Sequence, residues 1–488
     1  VREHGEDAYD FTHDKLREVA YRSLSTARRR MVHRHVALAM ESVMAGQLDA
    51  IAGELAGHFD KAGQHVQAIN YYRRAAEAAR NVFANDKAIR YYGRALELAE
   101  RTMAEGMAIA TLNEQMGDIH FLVTHYDAAR NAYRHALERL PADAPLSAAR
   151  LRRKVANSLR EQYRFPEALA MLEHTQQELL AASGDLLLIE REDTQPIPDP
   201  AWFGEWLQVH FEALQVYYWT GQVAEGIAML ERLRPAVEQY GSLAQQTRLL
   251  QQQTLLALRR DRYVVSEETL SMARAVFAGH QRTGNQAVLP AAHFQLGFFL
   301  LWHGDVGEAE EQMQTSLRLA EQTGDLNLQA RGLTYLTVIS RRHGQIAATR
   351  MYAGRSFDVA TTAGMPEYQG MARANQAWLA WCVREWQKVE ELGQAALAFW
   401  QQAEGVPGAT VFAWAARWPL FAAAVFQGAH DRAIEHVAAL LDPRLQQMPD
   451  PLMAELVRAR QAGEQLAVDN LHPHLLRTLE LAQQLGYL

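Results

Sequence analysis

Between residues 63 and 79 the chain reads GQHVQAINYYRRAAEAA, and Ala68, Tyr72 and Ala75 recur at spacings of four and three. That spacing predicts one face of an α-helix, and the small residues on it mark where a second helix must come close. The same turn-then-helix pattern returns along the chain. The predicted turns fall at Gly63, Thr124, Tyr163, Gly221, Asp261, Gly304, Gly344, Arg384 and Gly428. Successive differences are 61, 39, 58, 40, 43, 40, 40 and 44 residues. The 61 reads as a 40-residue unit plus one extra helix over 84–101, and the 58 as a unit plus an insert at 183–200. A fixed period of this size predicts a helical solenoid rather than a generic bundle.

The repeats resemble tetratricopeptide repeats. The stretch 113–141 supplies Met116, Gly117, Tyr126, Ala129, Tyr133, Ala136 and Pro141, and the stretch 293–316 supplies Leu296, Gly297, Gly304, Asp305 and Ala309. The small residues have a mechanical purpose, since two helices of a hairpin cross where little more than a methyl fits. Other units carry Gly226, Ser266, Thr349 and Val389 at the equivalent alanine position. Units near 40 residues, longer than the family's 34, predict longer helices. The resemblance implies that first helices line the inside of the solenoid and second helices cover its outside.

Residues 9–41 do not fit the period. Tyr9 and Phe11 alternate as on a short strand, Thr12 can cap a helix carrying Leu16, Val19 and Leu24, and Ser25 can cap a second with Met31, Val32 and Val36. This segment resembles the end of the winged-helix domain in signal-transduction ATPases with numerous domains. The matching residues are Phe11, His13, Leu16, Arg17, Glu18, Tyr21, Arg29, Arg30 and His33 or His35. The fold class expected is therefore all-α, an α-solenoid of tetratricopeptide-like hairpins preceded by a partial winged-helix segment. The expected organisation is a winged-helix end at 1–45, repeat blocks at 46–182 and 201–470, a Pro- and acid-rich linker at 183–200, and a capping helix at 471–488. The resemblance implies a sensor arm whose nucleotide-binding motor lies upstream on the same chain.

Composition narrows the chemistry. No lysine follows a glycine among Lys15, Lys61, Lys87, Lys154 and Lys388, so the phosphate-cradling Gly-Lys-Ser/Thr motif is missing. No cofactor is expected in this chain, with ATP or ADP confined to the upstream domain that the resemblance implies. A net charge of -8 argues against nucleic-acid binding, and no run of 18 apolar residues suggests a membrane span. A single cysteine, Cys382, excludes a disulfide framework and fits a reducing, cytoplasmic setting. His33 and His35 point to different helix faces and His472 and His474 flank Pro473, so no metal site is expected. No catalytic constellation emerges, and the chain is read as non-enzymatic.

Two clusters remain as candidate binding surfaces. Arg28, Arg29, Arg30 and Arg34, with His13 and Arg17, form a basic face suited to docking an upstream acidic or nucleotide-bearing domain. Six of the ten tryptophans fall between 378 and 418. In repeat phase, the groove-lining positions of a first helix are about 2, 5, 9, 12 and 13, with Trp378 at 9. That stripe selects Tyr218, Trp219, Trp302, Arg341, Arg342, Trp378, Trp381 and Trp418 as the groove. Aromatic faces beside guanidiniums suit a peptide, a protein partner or a small inducer. The competing reading makes the same rings helix-to-helix fill, and the chain a constitutive scaffold without a small ligand.

Overall fold

The computed structural model describes residues 2–3, 9–10, 14–182, 199–402, 411–465 and 468–488. The expected linker at 183–200 lies outside the described residues except for Asp199 and Pro200, and Thr12 and Phe11 lie outside them too. The described chain is helical apart from a two-residue antiparallel pair, β1 (Arg2–Glu3) with β2 (Tyr9–Asp10).

The helices run α1 Asp14–Ser23, α2 Thr26–Val43, α3 Leu48–Ala62, α4 His65–Asn81, α5 Asn85–Arg101, α6 Gly106–Leu122, α7 Tyr126–Arg139 and α8 Pro145–Glu161. They continue with α9 Phe165–Ala182, α10 Pro200–Thr220, α11 Val223–Tyr240, α12 Leu243–Arg260, α13 Glu267–Thr283, α14 Leu289–His303, α15 Val306–Thr323 and α16 Leu326–Arg342. The last are α17 Ile346–Ala363, α18 Pro366–Cys382, α19 Trp386–Gln402, α20 Trp414–Phe426, α21 His430–Leu440, α22 Asp450–Glu464 and α23 Val468–Gln484. Two units emerge, one of residues 1–121 with 127–151 and one of 122–126 with 152–488. The division falls within α8, upstream of the expected linker.

The turns explain the period. All nine predicted turns carry left-handed backbone: eight at the named residue itself, Thr124, Tyr163, Arg384, Gly63, Gly221, Gly304, Gly344 and Gly428, and one displaced from Asp261 to Arg262 and Tyr263. Further left-handed residues, Phe83, Met103, Gly284, Gly324 and Gly364, bound the remaining helices. Gly284, Gly304, Gly324, Gly344 and Gly364 are 20 residues apart, so the elementary unit is one helix of 15–18 residues plus its turn. Forty residues make one hairpin. The gap of 61 is then three helix-plus-turn units, with α5 the odd helix that shifts hairpin parity.

In the second unit, adjacent helices pack as antiparallel pairs, and first helices also meet each other: α10 with α12, α14 with α16, α16 with α18 and α18 with α20. That second set of contacts stacks hairpins into a solenoid. Close crossings fall at the small residues. A Cβ on Gly297 would sit 3.1 Å from Met313, Ala309 is fully buried, and Thr349 and Val389 are fully buried. On Gly226 a Cβ would meet Leu256 at 2.8 Å. Ser266 departs from expectation. It is exposed, and its hydroxyl accepts from the Thr269 amide to cap α13, because the longer turn at 261–266 moves the crossing downstream.

In the first unit, Ala68, Tyr71 and Ala75 of α4 join Ile51, Leu55 and Phe59 of α3 in one apolar cluster. Gly117 of α6 lets the Tyr133 ring lie where a Cβ would be 2.6 Å from it. Ser25 caps α2 as expected, accepting from the Arg28 amide. Among the described residues, no helix is long and apolar enough to cross a membrane.

Candidate functional site

In the second unit, first helices of consecutive hairpins line a partly open cavity of about 350 Å³. Arg160 and Glu161 enter from the end of α8, Gln215, Tyr218 and Trp219 from α10, and Arg248, Gln251 and Leu255 from α12. Helix α14 contributes Phe294, Gln295 and Phe298, α16 contributes Leu328, Arg331 and Tyr335, and α18 contributes Glu367, Tyr368 and Met371. Repeat phase aligns them: Ala291, Arg331 and Met371 hold one position in successive 40-residue units, as do Gln295 and Tyr335. Outside this set, Tyr263 comes from the turn after α12, Trp400 from α19 and Phe412 from the turn before α20.

The walls are largely aromatic. Phe298 meets Tyr335 edge-on at 4.8 Å between centroids, and Phe412 meets Tyr263 at 5.2 Å. The Tyr218 and Tyr263 hydroxyls lie 3.1 Å apart. Trp400 donates from Nε1 to the Glu367 carbonyl at 3.0 Å, and its indole crosses α18 where Gly370 leaves no side chain.

The charges sit among these rings. Glu161 accepts from Asn327 Nδ2 at 2.8 Å and pairs with Arg160 at 2.9 Å. Glu212, behind the wall, lies 3.8 Å from Arg160 and 3.6 Å from Arg248. Burial alone would raise its carboxyl, but Arg160, Arg248 and Arg153 outweigh burial and hold it below the usual range. Arg331 projects over the Trp219 ring at 5.7 Å and comes no nearer than 3.9 Å to a Glu161 oxygen. Burial pushes the Glu367 carboxyl up to about 7, against the opposing pull of the Tyr163 hydroxyl and Arg331. Among the described residues, Arg248 Nε, Arg331 Nε, Glu367 Oε2, Gln251 Oε1 and Gln295 Nε2 have no hydrogen-bond partner.

The residues expected to line a groove divide. Tyr218 and Trp219 line the cavity. Trp302 stands beside it, stacked on Phe412 at 5.5 Å, with the Arg342 guanidinium 5.1 Å from its ring on the other hand and donating to the Leu301 carbonyl at 2.9 Å. Trp381 is half-buried against Ala380, Val389 and Ala423, in a helix-to-helix contact. Trp378, Trp418 and Arg341 correct the expectation of an open stripe, because they are interior. Trp418 is fully buried against Phe421 and Tyr487. Arg341 lies 5.2 Å from the Trp378 ring centroid and donates to the Tyr487 carbonyl, so the C-terminal turn covers this part of the stripe. Burial lowers the Arg341 guanidinium to about 9. Positions 12 and 13 of the later first helices therefore miss the cavity, which lies nearer their N-terminal halves. Arg331, Tyr335, Glu367 and Tyr368 line the cavity although the groove stripe expected from the sequence does not include them. Arg331 and Tyr335 stand at positions 2 and 6 of the 40-residue alignment, where Ala, Arg, Met, Gln and Tyr mix and carry no compositional flag, while Glu367 and Tyr368 precede its first position.

The basic cluster lies on α2. Arg28, Arg30 and Arg34 are exposed, and Arg29 is half-buried with its guanidinium 5.5 Å from the Tyr21 ring centroid. His13 lies outside the described residues, as does the side chain of Arg17. His33, one turn after Arg29, is buried between the Tyr21 hydroxyl at 2.8 Å and His58 Nδ1 at 3.1 Å. His474 contacts Glu455 at 2.6 Å. Cys382 is a free, half-buried thiol.

No protein-family model matches the chain, and no curated protein matches it in sequence. Solved structures resemble it in fold at low identity. A Rap protein complexed with competence and sporulation factor superposes with a TM-score of 0.43 at 13% identity, covering 86% of this chain and 98% of that one. The apo form of the quorum sensor NprR from B. thuringiensis gives 0.44 at 12%, covering 71% and 91%. A signal-transduction ATPase with numerous domains and a tetratricopeptide repeat sensor, from Pyrococcus horikoshii, gives 0.45 at 13%, covering 89% and 65%.

Proposed function

We infer that this chain is a non-catalytic recognition arm that binds a ligand or partner group in the cavity of its second unit. What supports the reading is one observation: aromatic rings and guanidinium, amide and carboxyl atoms without a protein partner converge on one cavity built by successive first helices. Buried polar atoms without partners cost stability, on the order of 1–3 kcal/mol each, so a protein that keeps several in one cavity gains when a ligand satisfies them. The resemblance of residues 9–41 to a winged-helix end extends the proposal. The arm would belong to a regulatory ATPase and hand ligand occupancy to an upstream motor through α1 and α2, whose exposed Arg28, Arg30 and Arg34 offer the docking charges. Coupling of that kind requires the ligand to prefer one arrangement of the arm over another.

A thermal-shift screen of small molecules and short peptides tests the reading. Hits are expected to stabilise the native chain and to lose that effect in Trp219→Ala and Tyr335→Phe variants that melt cooperatively. Hits that stabilise native and variant chains equally place recognition elsewhere and overturn the cavity as the site.

A further inference from the structure

We propose that the cavity takes a small ring-bearing carboxylate, with Arg331 as the residue that receives the carboxylate and the Trp219, Phe298 and Tyr335 rings as the walls for the ring. The inference rests on the ligand-binding reading above and specifies the ligand's chemistry.

Size comes first. A cavity of 350 Å³ is at the small-molecule end of the range for ligand sites. It is partly open and lined by side chains of several helices, and its volume suits a compact molecule better than an extended peptide. Shape follows from the walls. Phe298 and Tyr335 meet at 76° and so present aromatic surfaces of two orientations to the cavity, on which a ligand ring can stack or sit edge-on.

Charge sets the polar end. The cationic side chains at and just behind the wall are Arg160, Arg248 and Arg331, and the carboxylates are Glu161, Glu212 and Glu367. Glu161 is spent on Arg160 and Asn327. Glu212 divides its pull between Arg160 and Arg248. Glu367 is held toward its neutral form by burial. That leaves positive charge in surplus, and Arg331, whose charge burial opposes but Tyr368, Glu161 and Glu367 favour, stays ionised without a hydrogen-bonded carboxylate. Its nearest carboxylate oxygen is at 3.9 Å, beyond hydrogen-bonding distance, and its Nε has no partner among the described residues. A guanidinium in a low-dielectric pocket presents two parallel N–H groups that match a carboxylate, and such charge-assisted pairs are among the strong ones. In its protonated form the Glu367 carboxyl can donate a hydrogen bond to the same ligand, whereas a cationic ligand would meet the Arg331 charge head-on. The amides of Gln251 and Gln295, each with an unpartnered atom at the wall, can serve a ring substituent.

Matched ligands test this by charge alone. Phenyl, indole and naphthyl rings are each used as the acetate, the acetamide and the ethylamine, and binding to the native chain is read by ligand-observed NMR and titration calorimetry. The acetates are expected to bind at least about tenfold more tightly than their amides, with the amines weakest. Arg331→Gln is expected to erase the acetate-over-amide preference while leaving amide binding, and Arg331→Lys to retain part of it. Amides or amines binding as well as acetates would overturn the carboxylate assignment while leaving the cavity a ligand site. The preference surviving in Arg331→Gln, with the variant folded by circular dichroism, would overturn Arg331 as its receptor. No binding by any of the nine, with peptide hits still lost in Trp219→Ala, would overturn the small-ligand proposal in favour of a peptide and leave the ligand-binding reading standing. No binding by any of the nine and no hit that depends on cavity residues would overturn both.

Discussion

Two glycines separate backbone from packing at the level of single residues. Gly344 sits in a turn at φ 67° with nothing within 4 Å of where a Cβ would be. Gly344→Ala is expected to cost about 1–2 kcal/mol from the left-handed backbone alone, and to leave ligand binding unchanged. Gly370 has ordinary helical backbone, but a Cβ there would lie 2.7 Å from the Trp400 indole. Gly370→Ala should therefore displace Trp400 from the cavity wall and weaken binding as well as stability. Urea midpoints and ligand titrations on both variants check the contrast. The tryptophans divide in the same way. Trp418 and Trp378, both interior, should each cost about 3–5 kcal/mol on truncation to alanine. Glu367 supplies a pH signature. Its ordinary value of 4.5 rises to about 7 on folding, so between those values the folded chain holds the extra proton. Its contribution to stability is complete below the unfolded value and is lost as pH rises through about 7. Stability of the native chain minus that of Glu367→Gln should fall with rising pH across this window.

At the level of elements, the turns were the most legible feature, because left-handed backbone draws Gly and polar residues into fixed register with the helical period. What escaped was the half-period. Gly284, Gly324 and Gly364 stand in the sequence as plainly as Gly304 and Gly344, yet they join hairpins rather than close them, and the tetratricopeptide pattern directs attention to the closing turn. Which side of a first helix is open could not be read from one repeat, since Arg341 is covered by a residue 146 positions away, Tyr487. That contact makes a prediction. Removing residues 487 and 488 takes away the carbonyl partner of a buried guanidinium and the one ring that packs on both Trp414 and Trp418. The expected loss is about 3 kcal/mol or more, felt in the second unit, and thermal unfolding of the truncated chain measures it. The cavity itself was half legible. Tyr218 and Trp219 were found by phase, whereas Arg331 and Glu367 become functional only when helices far apart in sequence place them against one space.

For the whole molecule, all ten tryptophans lie in the second unit, from Trp202 to Trp418. Indole fluorescence therefore follows that unit without any label. A ligand in the cavity should raise the fluorescence-detected midpoint with concentration, as binding to the folded state alone requires. The central claim is that recognition belongs to the inner faces of successive first helices, and hydrogen–deuterium exchange tests it most directly. With a saturating ligand from the screen, slowed exchange is expected in α14, α16 and α18 near Phe298, Arg331 and Tyr368. Protection confined to second helices such as α15 and α17, or to α2, with the first helices unchanged, would contradict it.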